Sequence, residues 1–104
     1  MSDIEGFEAL LDKGQDNALL RYTLGALHLQ KGAPQLALPH LRAALDHDPD
    51  YSAAWRALGK ALTETGEIQE AINAYSRGIE VAEARGDKQA AKEMRVFLKR
   101  LHKS

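Results

Sequence analysis

Apolar residues recur three and four positions apart along this chain, in six blocks separated by glycine or by Asp-Pro, and that spacing predicts six helices. Ile4, Phe7, Leu10 and Leu11 form the first stripe, and Ser2 followed by Glu5 reads as a capping box that opens it. Gly14 ends this helix. Asp16 or Asn17 then caps a second one running to about Lys31, with Leu20, Leu24, Leu27 and His28 on its packed side and Gly32 as its stop. Pro34 suits the first turn of a third helix that reaches about His47, with Leu38, Leu41 and Leu45 pointing inwards and Asp48-Pro49-Asp50 as the closing turn. Two more helices follow near 51 to 65 and 68 to 85, parted by Thr65-Gly66-Glu67. Gly86-Asp87 breaks the chain once more before a last helix over about 88 to 102. Pro39, inside the third helix, removes a backbone bond to Gln35 and predicts a kink or local loss of regularity.

The blocks repeat. Leu24-Gly25 returns 34 residues later as Leu58-Gly59, Gly32 as Gly66, Ala37 as Ala71, Leu41 as Tyr75 and Leu45 as Ile79. The second copy reads Trp55-x2-Leu58-Gly59-x2-Leu62 and then Ala71-x3-Tyr75, while the first has Arg21 and His28 in place of two aromatic positions but keeps Pro49 at its close. On these residues the chain resembles the tetratricopeptide repeat (TPR) family, whose period-34 helix pairs bury their apolar faces by stacking on neighbours. The resemblance implies an all-α fold, a TPR-type superhelix of about six stacked antiparallel helices. It divides the single domain 1–104 into a leading half-repeat (1–15), a first repeat (18–51), a second repeat (52–86) and a capping helix (87–104). Gly25, Gly59 and Gly78 fall inside helices at a cost of about 1 kcal/mol each relative to alanine, and close helix approach is the natural compensation.

The last helix does not follow the same offset. A shift of 34 would bury Lys92 and Glu93 on the Leu58-Gly59 positions, whereas a shift of 36 maps Trp55, Leu58, Ala61 and Leu62 onto Ala91, Met94, Phe97 and Leu98. Trp55, Leu58, Leu62 and Tyr75 are the expected heart of the core.

Relatives of this family bind extended or helical peptides along the concave side, which is lined by the first helix of each pair. If Trp55, Leu58 and Leu62 face the core, Arg56, Lys60 and Thr63 share another face of their helix. The offset of 34 adds Tyr22, Ala26 and Leu29, and the offset of 36 adds Lys92, Val96 and Lys99. The expected groove is apolar at one end and basic at the other, with no acidic residue in its three rows. Converging cations favour an acidic partner or a terminal carboxylate. The carboxylate clamp of some co-chaperone TPR modules would need asparagines where this chain has Ala26 and Ala57, which argues against a chaperone tail.

Charge distribution supplies two alternatives. Residues 1–85 hold 8 Lys/Arg against 13 Asp/Glu, and residues 86–104 hold 6 against 2, so an acidic body ends in a basic helix. Lys88, Lys92, Arg95, Lys99 and Lys103 form a stripe that a nucleic acid or an anionic surface could contact, although the acidic body opposes it. The open edge of the last helix could instead pair two copies into a homodimer.

Catalysis and cofactors find no support in the sequence. The chain has no cysteine, no Gly-rich phosphate loop and no nucleophile motif, so it is read as a non-catalytic protein that takes a protein or peptide ligand and uses no cofactor. His40 and His47 lie two helical turns apart, roughly 10 Å, too far to share an ion, and His28 is read as a core residue. Asp46, Asp48 and Asp50 lack the glycine and distal glutamate of a calcium loop, so no metal site is expected. The acidic start Met1-Ser2-Asp3 predicts no secretory leader, and no apolar run reaches the ~18 residues of a membrane span, so a cytoplasmic location and no membrane contact are expected.

Overall fold

The computed structural model describes residues 3–103, which form six helices and no strand. They are α1 (Asp3–Asp12), α2 (Ala18–Gln30), α3 (Pro34–His47), α4 (Ser52–Glu64), α5 (Ile68–Ala84) and α6 (Lys88–His102). The Ser2 half of the expected capping box lies outside the described residues. Of the two candidate caps for α2, Asn17 takes the role: its side-chain oxygen accepts from the Leu20 amide at 2.9 Å. Asp16 pairs instead with Arg21 and His47.

Four helices end on the same device. Gly14, Gly32, Gly66 and Gly86 adopt φ between 76° and 86°, a left-handed turn that a side chain disfavours, so the chain reverses where the glycines fall in the sequence. Each helix therefore packs on the next, and α4 also meets α2 on one side and α6 on the other. The result is a curved stack measuring 41 × 28 × 19 Å. Helix α3 runs through Pro39 as one helix, so of the kink or local loss of regularity expected there the second does not occur. Pro39 and Gln35 are both exposed, so water can take the carbonyl that the proline leaves without a donor.

The core is set by close approach between paired helices. A Cβ on Gly25 would stand 2.5 Å from Leu41, and one on Gly59 would stand 2.6 Å from the Tyr75 ring. The same sequence position in each repeat thus receives a large side chain of the partner helix. Leu58, Leu62, Tyr75, Ala91 and Met94 are buried, together with Ala37, Leu41, Ala44 and Ala71. Trp55 is only half-buried, a correction to its expected central place. Its Nε1 donates to the Pro49 carbonyl at 2.7 Å and the Arg77 guanidinium lies over its ring, so it closes the rim of the core where α4 begins. A second, smaller cluster of Ile4, Leu20 and Leu24 fastens α1 to α2, with Phe7, Leu10, Leu11 and Leu27 packed around it.

Candidate functional site

Because α2, α4 and α6 lie side by side, their inner faces enclose a cleft of about 580 Å³. From α2 come Tyr22, Ala26 and Leu29, all half-buried, which make an apolar wall. Tyr22 is braced by Tyr51, with ring centroids 5.0 Å apart. Helix α4 supplies Arg56, Lys60 and Thr63, at the i, i+4 and i+7 spacing that sets them on one face. The Thr63 hydroxyl donates back to the Gly59 carbonyl at 2.8 Å. Tyr75 reaches the floor from α5, and burial pushes its phenol pKa up.

The α6 side departs from the expected row. Lys92, Val96 and Lys99 are exposed and lie outside the lining; Phe97, Arg100 and Leu101 line the cleft instead. The inner face is turned by one residue, about 100° of helix rotation. Ring contact explains it: Phe97 packs against Tyr75 at 5.6 Å between centroids, and the Arg100 guanidinium lies 5.7 Å over the Phe97 ring. This turn also brings Glu93 towards α4, where it pairs with Arg56 at 3.3 Å, and Glu64 joins the lining. The groove is therefore not free of acidic residues. Lys60 has no ion pair among the described residues, and Arg100 is the cation that α6 brings to the lining. Sequence reasoning missed Phe97 and Arg100, although Phe97 was an available signal, being the one aromatic residue of the last helix.

At the other end of the stack, titratable groups from three helices meet. Arg21 holds Asp16 through two nitrogens, at 2.8 and 3.0 Å, and His47 adds a contact at 3.1 Å. The Arg21 hydrogen bond is the main reason that the Asp16 carboxyl is held down at about 2. The third Arg21 nitrogen faces His40 Nδ1 at 3.2 Å, and His40 in turn lies against His28, with ring centroids 5.5 Å apart. Burial, then Arg21 and His28, pull the His40 pKa below the ordinary histidine value. Glu8 of α1 approaches the same two rings.

Three comparisons bear on what this architecture is. The sequence model described as tetratricopeptide repeat matches residues 28–94. The chain belongs to the tetratricopeptide repeat family. It is 46% identical over 101 residues to the TPR repeat-containing protein PA0015 of Pseudomonas aeruginosa, covering 97% of this chain and 96% of that one. Among solved structures, protein BPP2914 from Bordetella parapertussis is similar with a TM-score of 0.86 at 48% identity, over 99% of this chain and 90% of that one. The protein YrrB, described as a TPR protein with an unusual peptide-binding site, is similar with a TM-score of 0.71 at 25% identity, over 88% of this chain and 54% of that one. TPR proteins are in general non-catalytic interaction modules, and this TPR chain has the scaffold of a protein-protein interaction domain. No helix among the described residues is long and apolar enough to cross a membrane.

Proposed function

We propose that this TPR domain is a non-catalytic adaptor that holds a partner peptide in the cleft between α2, α4 and α6. The observation that carries the reading is the pairing of an apolar wall (Tyr22, Ala26, Leu29) with two cations on the facing helices (Lys60, Arg100) around one cleft. Such a surface suits a segment with acidic and apolar residues, or a free C-terminal carboxylate. The cations set approach and register, and the desolvated aromatic and aliphatic contacts set residence time. Arg56 contributes less than its position in the sequence suggests, because Glu93 already answers its charge.

The discriminating experiment is fluorescence anisotropy with a panel of labelled acidic-apolar peptides carrying free C-termini. The unmodified domain should bind members of the panel with Kd in the range of about 1–100 μM, and Lys60→Glu combined with Arg100→Glu should weaken them about tenfold or more. Both residues are exposed, so the melting temperature should change little. Equal affinity in the double variant would remove the cleft from the account and leave the basic outer face of α6 or a second copy of the chain as the recognition element.

A further inference from the structure

Glu8, His28 and His40 come from three different helices, and one ligand-type atom from each lies within 4.8 Å of the others. His28 is the one buried polar residue among the described residues. No hydrogen bond holds its ring nitrogens and no ion pair answers Glu8 among those residues. The second repeat shows how the chain fills the same place when only packing is needed. Thirty-four residues on, His28 becomes Leu62, His40 becomes Ala74 and Glu8 becomes Arg42; the first two are buried apolar residues and the third is exposed. The chain has thus replaced two apolar side chains by imidazoles in the first repeat, a substitution that packing does not require, with an exposed carboxylate beside them where the second repeat has an exposed arginine.

We propose that Glu8, His28 and His40 form a three-ligand site for a borderline divalent cation of the zinc class, with a fourth position open to water. Two nitrogens and one carboxylate oxygen match the donor preference of such ions, and hard cations such as calcium need more oxygens than the site offers. Bond lengths near 2.1 Å require the ligand atoms to stand about 3.3 Å apart, so they must draw together from their present spacing. Glu8 is exposed and can supply part of that movement, and the parallel rings of His28 and His40 must turn so that their lone pairs converge. The ion would tie α1 to α3. Without it α1 touches α2 alone among the helices.

Arg21 opposes the ion. By donating to His40 Nδ1 it claims one lone pair of that ring and leaves the proton on Nε2, so the bond must be surrendered or the ring turned before His40 can ligate. Asp16 holds Arg21 in this position through Nε and Nη2. Arg21 therefore sets the affinity, and its removal should raise it.

The test is calorimetric titration of the full chain, free of any polyhistidine tag, with Zn²⁺, alongside the visible absorption of the Co²⁺ form. The unmodified chain should bind one ion with a four-coordinate Co²⁺ spectrum and melt several degrees higher in its presence. Arg21→Ala should bind about tenfold more tightly. His28→Leu with His40→Ala reproduces the apolar solution of the second repeat, so it should fold while losing at least a hundredfold in affinity, and His47→Ala should bind like the parent. An unmodified chain that takes up no stoichiometric ion, or a His28→Leu/His40→Ala variant that binds as well as the parent, would overturn the site. Unchanged affinity in Arg21→Ala would overturn the opposing role given to Arg21.

Discussion

Gly78→Val should lower the melting temperature by about 10–20 °C. A Cβ at position 78 would meet Met94 Sδ at 2.5 Å and Trp55 Cβ at 2.9 Å. The methionine end is flexible, but Met94 is fully buried and has little room to retreat. The Trp55 Cβ is worse placed, because it is fixed to the backbone of α4 and can move only if the helix moves. Overpacking of this kind costs about 3 kcal/mol, more than the roughly 0.3–0.5 kcal/mol that exchanging glycine for valine returns in helix propensity. Gly6 provides the contrast: it also sits within a helix, yet a Cβ there meets nothing within 4 Å, so Gly6→Ala should be neutral or stabilising. Thermal melts of the two variants decide it, and a Gly78→Val protein as stable as its parent would mean that α4, α5 and α6 are not packed this closely.

Removing residues 87–104 should abolish cooperative folding. Helix α6 covers α5 with Met94 and Leu101 buried and with Phe97 and Leu98 half-buried against the core. At roughly 1.5–3 kcal/mol for each fully buried large side chain, their loss is on the order of 6–8 kcal/mol, comparable with the whole stability of a typical domain at ~5–15 kcal/mol. Tyr75 would lose its ring contact with Phe97, and the surface around Gly78 would open to water. The 1–86 fragment is therefore expected to aggregate, or to keep helical circular dichroism while binding a hydrophobic dye and losing amide dispersion in its ¹⁵N spectrum. A soluble fragment with a sharp two-state melt would make α6 an appendage and favour a contact through its basic face.

What could be read from the residues and what could not follows from the range of the signals. Helix stops are local, so Gly14, Gly32, Gly66 and Gly86 marked four turns correctly from sequence alone. The repeat set Gly25 and Gly59 at equivalent helix positions where close approach is expected, while their partners, Leu41 and Tyr75, lie on the neighbouring helices and are fixed by tertiary packing. Signals that depend on a helix's rotation were weaker. An offset of 36 placed Ala91 and Met94 inside correctly but left the cleft row of α6 one residue short, since the preference of Phe97 for Tyr75 is a tertiary contact that no spacing rule contains. That one residue exchanged Lys92, Val96 and Lys99 for Phe97, Arg100 and Leu101, and brought in Glu93 as a partner of Arg56. Trp55 was overvalued for a similar reason: its size suggested the centre of the core, while its indole N–H needed an acceptor and found one at Pro49 on the rim. Spacing along a single helix relates His40 only to His47, so it does not reveal the pair His28 and His40, which face each other across the α2–α3 hairpin.

The central claim is that one cleft, between α2, α4 and α6, receives the partner. Amide chemical-shift mapping tests it most directly, by titrating ¹⁵N-labelled protein with the tightest-binding acidic-apolar peptide of the panel. Shifts are expected to concentrate at Tyr22, Ala26, Leu29, Lys60, Phe97 and Arg100, with the outer residues Lys92, Val96 and Lys99 little affected. Shifts confined to the outer face of α6, or to the exposed Leu19 and Leu36, with the cleft silent, would contradict it.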